Sequence, residues 1–246
     1  MQYIDINCDM GEGVGNEYLL MPFISSANIA CGFHAGDEAE MKRVVELCLQ
    51  YDVAIGAHPS FKDKQNFGRT EMHLPASEIQ QLVQDQLQIL NNIVIAAGGK
   101  LHHVKPHGAL YNMAAKDANI ATAIAVAIKD FDSSLIYYGL SGSVMIEGAL
   151  KPGLCSANEV FADRTYQPDG SLTPRSASGA LITDTDKAIQ QVLQMIHEKK
   201  VTATNGEKIS ILADTICIHG DGMHAVEFAE KINHRLVAAG IQIQKL

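Results

Sequence analysis

Short apolar segments alternate with amphipathic helical patterns along the chain, and no linker rich in serine or proline separates them. This alternation is typical of an α/β protein in which helices connect parallel strands. Seven segments have the length and composition of buried strands. We predict strands at residues 3–9, 28–32, 54–58, 103–107, 135–140, 157–163 and 215–219.

The helical segments carry recognisable start and stop signals. Asp37 is predicted to cap a helix whose apolar face includes Met41 and Val44, and Ser77 to cap another that ends before Gly98. Further helices are predicted at residues 119–128, 188–196 and 225–239. Asn205-Gly206 predicts a hairpin turn before the seventh strand.

Two folds share this alternation, a doubly wound sheet and a barrel. No dinucleotide-binding glycine turn follows the first strand, which favours the barrel. A length of 246 residues suits one such domain. We therefore predict a single barrel-like domain over residues 1–246, with about seven parallel strands and outer helices.

Composition and charge exclude some classes of partner and some cellular locations. The net charge of -9 and the lack of a basic run argue against nucleic acid. No apolar run is long enough to span a membrane, and the first residues lack a secretory signal, so we expect a cytoplasmic protein. The five cysteines form no CxxC pair and are interpreted as buried thiols.

Ionisable side chains cluster where the predicted strands end. In residues 5–9, Asp5, Asn7 and Asp9 share one face of the strand. Six of the seven predicted strands carry such residues at or just beyond their C-terminal ends, and a parallel barrel brings those ends to one rim. The residues that illustrate this are His34, His58, His103, Lys105, His107, Glu159, Asp163, His219 and Asp221.

Two further features are a glycine-rich segment after the first strand and a set of candidate metal ligands. The segment Gly11-Glu12-Gly13-Val14-Gly15 lacks the lysine and serine or threonine of a phosphate-binding loop, so a tight turn that exposes Glu12 is favoured. A divalent metal needs three or four imidazole or carboxylate ligands. If a metal is bound, the candidate ligands are Asp9, His34, His58, His107 and Asp221.

Two segments are candidate lids because they follow strands at the predicted rim. They comprise residues 61–69 and 164–175. These segments contain Arg69, Arg164 and Arg175. Each guanidinium can bind a carboxylate through two parallel hydrogen bonds.

Several of these segments together resemble the LamB/YcsF family, the A subunits of bacterial 5-oxoprolinases. The resemblance runs from about residue 3 to residue 243. It is carried by the segments 5–12 (DINCDMGE), 28–37 (NIACGFHAGD), 56–59 (GAHP), 104–112 (VKPHGALYN), 159–164 (EVFADR) and 219–221 (HGD).

The resemblance implies a seven-stranded barrel like that of polysaccharide deacetylases. It also implies ATP-dependent opening of 5-oxo-L-proline to L-glutamate, together with separate B and C subunits. ATP would then be a co-substrate, and a divalent metal is a further candidate.

On this basis we assign two sets of site residues. The catalytic set is Asp9, Glu12, His34, His58, Lys105, His107, Asp163, His219 and Asp221. The substrate-binding set is Asn7, Asn28, Arg69, Tyr111, Glu159 and Arg164.

Two other functions remain open from the sequence. One is a metal-dependent amide hydrolase or sugar deacetylase that acts alone and needs no ATP. The other is a non-catalytic subunit that binds the lactam and presents it to its partners.

Overall fold

A computed structural model describes residues 2–219 and 225–246. Its strands are β1 (Gln2–Met10), β2 (Ser26–Ala30), β3 (Ala54–His58), β4 (Leu101–Val104), β5 (Ile136–Leu140), β6 (Ser156–Phe161), β7 (Lys200–Thr202), β8 (Lys208–Ser210), β9 (Thr215–Ile218) and β10 (Ile241–Ile243).

Within the described residues, seven parallel strands form a closed barrel in the order β1-β2-β3-β4-β5-β6-β9. The barrel closes where β9 pairs with β1 and Asp5 lies opposite Thr215. The predicted fold class is therefore confirmed, and the doubly wound alternative is wrong.

Helices surround this barrel and cover its apolar outer face. They are α1 (Glu17–Leu20), α2 (Glu38–Tyr51), α3 (Ala76–Ala96), α4 (Gly108–Ala114), α5 (Ala118–Phe131), α6 (Val144–Leu150), α7 (Thr185–Glu198) and α8 (Ala225–Ala238). Asp37 caps α2 as predicted, because its side chain accepts a hydrogen bond from the Glu40 amide. Ser77 is not a cap, since α3 begins at Ala76 directly after Pro75.

The strand predictions hold with shifted ends. β4 covers Leu101–Val104 instead of residues 103–107, because Pro106 has no amide hydrogen to continue a ladder. The predicted hairpin is present as the antiparallel pair β7 and β8, which lies outside the barrel. β10 was not predicted from the sequence, and its residues Ile241–Ile243 pair with Gln2–Ile4 of β1.

The barrel interior beneath the rim is polar. The Asp5 carboxylate accepts hydrogen bonds from the hydroxyls of Ser25, Ser26, Tyr138 and Thr215. His103 stacks on Tyr138 with ring centroids 4.1 Å apart. Four donors around one carboxylate satisfy it without a cation, so Asp5 is a structural residue of the interior.

The absence of a side chain at Gly56 creates the space that His103 occupies. A Cβ at Gly56 would lie 2.1 Å from His103 Nε2 and 2.4 Å from two other ring atoms. His103 is fully buried and has little room to move. We therefore expect Gly56→Ala to lower the free energy of unfolding by about 3 kcal/mol, measured by urea denaturation.

The matched control is the double variant Gly56→Ala/His103→Ala. Removal of the imidazole relieves the overlap, so the double variant should be more stable than the sum of the two single losses predicts. Unchanged stability of Gly56→Ala would contradict this account of the interior.

Two further expectations about residue placement have a structural outcome. Cys8, Cys31, Cys48 and Cys217 are buried, but Cys155 is exposed, so the expectation that all five thiols are buried is wrong. Cys155 directly precedes β6, outside the buried part of the strand. Among the described residues, no helix is long and apolar enough to cross a membrane.

Candidate active site

The C-terminal ends of the barrel strands meet at one rim and bring ionisable groups together there. Asp9 lies in β1, and Glu12 follows in the turn after it. His58 ends β3, Lys105 follows β4, and His107 immediately precedes α4.

A buried ammonium forms the centre of this rim. Lys105 Nζ lies 2.9 Å from Asp9 Oδ1, 2.8 Å from Glu159 Oε1 and 3.0 Å from Cys217 Sγ. Burial alone would lower the pKa of Lys105, but the surrounding groups, Asp9 first among them, hold it well above its usual range. The lysine is therefore a fixed positive charge at the floor of the site.

Asn28 holds the aspartate that faces this lysine, and Asn7 contacts both Asn28 and the lysine. Asn28 Nδ2 donates to Asp9 Oδ1 and to Asn7 Oδ1, at 2.8 Å each. Asn7 Oδ1 also accepts a hydrogen bond from Lys105 Nζ at 3.1 Å. Burial acts to raise the pKa of Asp9, but His58 and Lys105 hold it well below its usual range, so the carboxylate stays ionised.

Three imidazoles converge on one carboxylate, and we call this group the histidine cluster: Glu12, His34, His58 and His107. Glu12 Oε1 lies 3.3 Å from His34 Nε2, 3.3 Å from His107 Nδ1 and 3.8 Å from His58 Nε2. His58 Nε2 and His107 Nδ1 lie 2.9 Å apart. His34 and His107 stack with ring centroids 3.9 Å apart.

The imidazoles of this cluster differ in how readily they take up a proton. Burial lowers the pKa of His34 to about 2. Burial, together with the neighbouring imidazoles, also holds the pKa of His107 well below its usual range. Burial acts on His58 in the same direction, but the charge of Asp9 outweighs it and raises the pKa of His58.

A second imidazole–carboxylate pair, His219 and Asp163, lies at the same rim. His219 Nδ1 is 2.9 Å from Asp163 Oδ1 and 2.8 Å from Asp163 Oδ2. The His219 ring stacks on Phe161, whose ring also lies 5.4 Å from Lys105 Nζ. Asp163 therefore fixes the orientation of the His219 ring.

A cavity opens above these groups and continues into a cleft. The inner cavity has a volume of about 60 Å³, and the adjoining cleft about 380 Å³. The inner cavity is lined by residues that include Asp9, Glu12, His58, Lys105, His107, Tyr111, Phe161 and His219. Both spaces share Arg69, Arg164 and Arg175, so positive charge surrounds the passage between them.

Arg164 is unusual among these arginines because it is buried. Its Nη2 donates to the Thr173 carbonyl, but among the described residues its Nε has no hydrogen-bond partner. Burial and the charge of Arg175 lower its pKa. A buried guanidinium with an unsatisfied N–H beside another cation favours an anionic ligand.

Comparisons with known proteins agree with this arrangement. Residues 4–246 match the LamB/YcsF family. The chain belongs to the LamB/YcsF family. It is 52% identical over 251 residues to a protein of Tolumonas auensis that is named as the A subunit of 5-oxoprolinase, with 100% of both chains covered.

Solved structures resemble this LamB/YcsF protein to different degrees. A lactam utilization protein from Thermus thermophilus is 41% identical and superposes with a TM-score of 0.93 over 100% of both chains. A family 4 carbohydrate esterase from Streptomyces lividans is 12% identical, with a TM-score of 0.53 over 98% of this chain and 91% of that one. The esterase supports the barrel fold alone.

The LamB/YcsF barrel brings most of the expected site residues together. Among the expected catalytic residues, His34 and Asp163 do not line the cavity but contact residues that do. His34 contacts Glu12, and Asp163 contacts His219. Asp221 lies outside the described residues. Of the expected substrate-binding residues, Arg69, Tyr111 and Arg164 line the cavity.

Three residues expected to bind substrate lie beneath the cavity instead. Asn7, Asn28 and Glu159 are fully buried, and they surround Asp9 and Lys105. Their placement favours a role in positioning those two groups. The strand pattern placed them on the inner face but carried no information about depth.

The two candidate lid segments contribute residues to the cavity wall. In residues 164–175, Tyr166 is fully buried and Thr173 N donates to the Thr165 carbonyl. In residues 61–69, the Phe67 carbonyl accepts from His107 Nε2. The expectation of lid motion stays a prediction for both segments.

Sequence reasoning missed several groups that hold the site. Ser60 contacts His34, the Phe67 carbonyl contacts His107, and Cys217 contacts Lys105. The position of Ser60 two residues after His58 was a signal that could have been used. A backbone carbonyl leaves no such signal in the sequence.

A larger depression of about 950 Å³ lies elsewhere, between α3, α5 and the start of β4. It is lined by exposed polar residues such as Gln81, Asp85 and Lys129. It contains no convergent group of histidines and carboxylates, so its size does not make it the candidate site.

Proposed function

We propose that the chain is the ring-opening subunit of an ATP-dependent 5-oxoprolinase. The reaction converts 5-oxo-L-proline to L-glutamate and hydrolyses ATP to ADP and phosphate, with separate B and C subunits. Family membership and the name of the Tolumonas relative support this assignment. The observation that carries it is the cavity, where a buried ammonium, an ionised carboxylate and imidazoles face an arginine-lined cleft.

The chemistry explains why ATP is needed. A lactam is a resonance-stabilised amide, and transfer of a phosphoryl group from ATP to its oxygen releases ADP and makes the ring carbon electrophilic. Water then adds to that carbon, and the carbon–nitrogen bond breaks as the nitrogen takes a proton, which leaves an acyl phosphate. A second water hydrolyses the acyl phosphate to the carboxylate and free phosphate. Because the sequence contains no phosphate-binding loop, we assign the phosphorylation to the partner subunits.

The residues of the cavity suit the later steps. Asp9 is ionised and takes a proton from water, and Lys105 offsets the negative charge that develops on the phosphate-bearing oxygen. His219 protonates the departing nitrogen, since its ring lines the cavity and Asp163 Oδ2 holds it at Nδ1, 2.8 Å away. His107 is less suited to this role because both of its ring nitrogens already face other groups.

Substrate binding is assigned to the arginines at the passage. The carboxylate of 5-oxoproline and the phosphate added to it are both anions. The unsatisfied Nε of Arg164 and the adjacent Arg175 and Arg69 provide donors for them.

A second candidate function is an amide hydrolase or deacetylase that acts alone without ATP. The histidine cluster favours it, because three imidazoles and a carboxylate are a common ligand set in metal-dependent hydrolysis.

The test is reconstitution with candidate B and C subunits, followed by measurement of glutamate and phosphate release from 5-oxoproline and ATP. We expect little or no activity from the isolated chain and ATP-dependent activity from the complex. A complex assembled with His73→Gln, which changes an exposed histidine, is the control and should retain full activity.

Two results would contradict the proposal. Robust ATP-dependent turnover by the isolated chain would remove the assigned division of labour. ATP-independent hydrolysis of amides by the isolated chain, with an inactive complex, would favour the second candidate function.

A further inference from the structure

The outward-facing nitrogens of two imidazoles in the histidine cluster must carry protons. His58 Nδ1 lies 2.7 Å from the Lys105 carbonyl oxygen, and His107 Nε2 lies 2.9 Å from the Phe67 carbonyl oxygen. A carbonyl oxygen has no proton to donate, so each ring nitrogen is the donor. In the neutral imidazoles, the other nitrogen therefore bears a lone pair.

In the third imidazole, that of His34, a hydroxyl group determines which ring nitrogen carries the proton. His34 Nδ1 lies 2.9 Å from Ser60 Oγ. The Ser60 hydroxyl donates its own proton to the Phe61 carbonyl at 2.9 Å, so it accepts from His34. His34 Nε2 therefore also bears a lone pair.

These assignments direct three lone pairs and a carboxylate oxygen at one point. His58 Nε2 and His107 Nδ1 lie 2.9 Å apart without a proton between them when both rings are neutral. Glu12 Oε1 lies 3.3 Å from His34 Nε2 and 3.3 Å from His107 Nδ1. Such an arrangement is repulsive unless a positive species occupies the centre.

We propose that Glu12, His34, His58 and His107 bind a divalent transition metal ion such as zinc. Ligands about 2.1 Å from a tetrahedral ion lie about 3.4 Å from one another, and four of the six ligand-atom separations run from 2.9 to 3.8 Å. Outer hydrogen bonds from ligand imidazoles to carbonyls and hydroxyls are usual at such sites.

A proton is the competing occupant. Placed on His58 Nε2, it can be shared with Asp9 Oδ2 at 3.4 Å or with His107 Nδ1. It lies along one direction and leaves His34 Nε2 facing Glu12 Oε1. A metal ion satisfies all four groups at once, and its binding displaces this proton.

A neighbouring group is less suitable for a metal. Ligand atoms of Asp9, Cys217 and His219 also lie within 4.8 Å of one another. Lys105 Nζ, however, lies 2.9 Å from Asp9 and 3.0 Å from Cys217, so that position already has a positive charge. The ion is therefore assigned to the histidine cluster, where three imidazole nitrogens lie within 3.8 Å of Glu12 Oε1.

An ion in the cluster would supply a Lewis acid or an activated water beside the ring carbon, and that role rests on the proposed function. The binding itself does not, because it concerns the isolated chain without substrate.

The test is a titration of the isolated chain, first stripped with a chelator, with Zn²⁺ by calorimetry and with Co²⁺ by visible absorption. We expect one ion per chain and a Co²⁺ spectrum of low coordination number. His34→Gln and Glu12→Gln should weaken binding by more than about a hundredfold, since loss of an outer partner alone costs about 10–100-fold.

Two further variants serve as a control and as a test of the outer hydrogen bond to His34. His73→Gln changes an exposed histidine and should bind as wild type does. Ser60→Ala keeps all four ligands and should weaken binding by about tenfold or more, with thermal melting used to verify folding. Wild-type binding no tighter than that of Glu12→Gln, or equal loss in His73→Gln, would overturn the proposal. Neither result would affect the glutamate-release assay.

Discussion

Replacement of Lys105 with methionine should reduce turnover of the reconstituted complex by on the order of a hundredfold or more. Its ammonium is buried at the cavity floor, 2.9 Å from Asp9 and 2.8 Å from Glu159. Methionine has a similar shape but no charge, so it removes the stabilisation of the developing oxyanion. The measurement is steady-state kinetics beside a thermal melting curve.

The melting curve is needed because the same change leaves two carboxylates buried without their cation. Removal of one partner of a buried ion pair costs about 3–5 kcal/mol. The double variant Lys105→Met/Glu159→Gln restores the charge balance, so it should regain stability but not turnover. Lys208→Met, at an exposed lysine, is the control. Near-normal turnover, or a loss explained by unfolding, would show that Lys105 has no such role.

Asp9→Asn should lower kcat of the complex by about 10²–10⁴-fold, the usual contribution of a general base. The amide keeps the shape of the side chain and an oxygen for the Asn28 hydrogen bond, but it cannot take up a proton. It also removes the charge that raises the pKa of His58, so that pKa should fall. Kinetics of the complex and NMR titration of His58 in the chelator-stripped chain measure the two effects.

This variant also tests the third function considered. For a subunit that only binds and presents the lactam, Asp9→Asn would raise KM and leave kcat unchanged at saturating substrate. The exposed Asp85→Asn provides the matched control, with both constants expected to stay at wild-type values.

The sequence predicted the barrel because strand alternation is a local property. Asp5, Asn7 and Asp9 recur every second residue, and this spacing placed all three inside the barrel. It could not rank them by depth, which depends on the register of neighbouring strands. As a result, Asp5 is a structural residue near the bottom, and Asp9 lines the cavity.

Features that depend on distant parts of the chain could not be predicted from local sequence patterns. The three-residue β10 is too short for its periodicity to show, and its pairing with β1 depends on chain closure. The geometry of the candidate site could not be predicted for the same reason. Glu12 and His107 are 95 positions apart, and their 3.3 Å approach arises only when both strand ends reach one rim.

The pairing of β1 has a consequence for synthesis of the chain on the ribosome. β1 contacts β9 through residues Asp5–Cys8 and β10 through Gln2–Ile4, so two of its three partners are translated last. A nascent chain that has not reached residue 215 therefore exposes two unpaired parallel edges. Such edges are vulnerable to aggregation, and late closure of long-range pairs makes folding slow. Production of this protein should therefore depend on chaperone supply more than its final stability suggests.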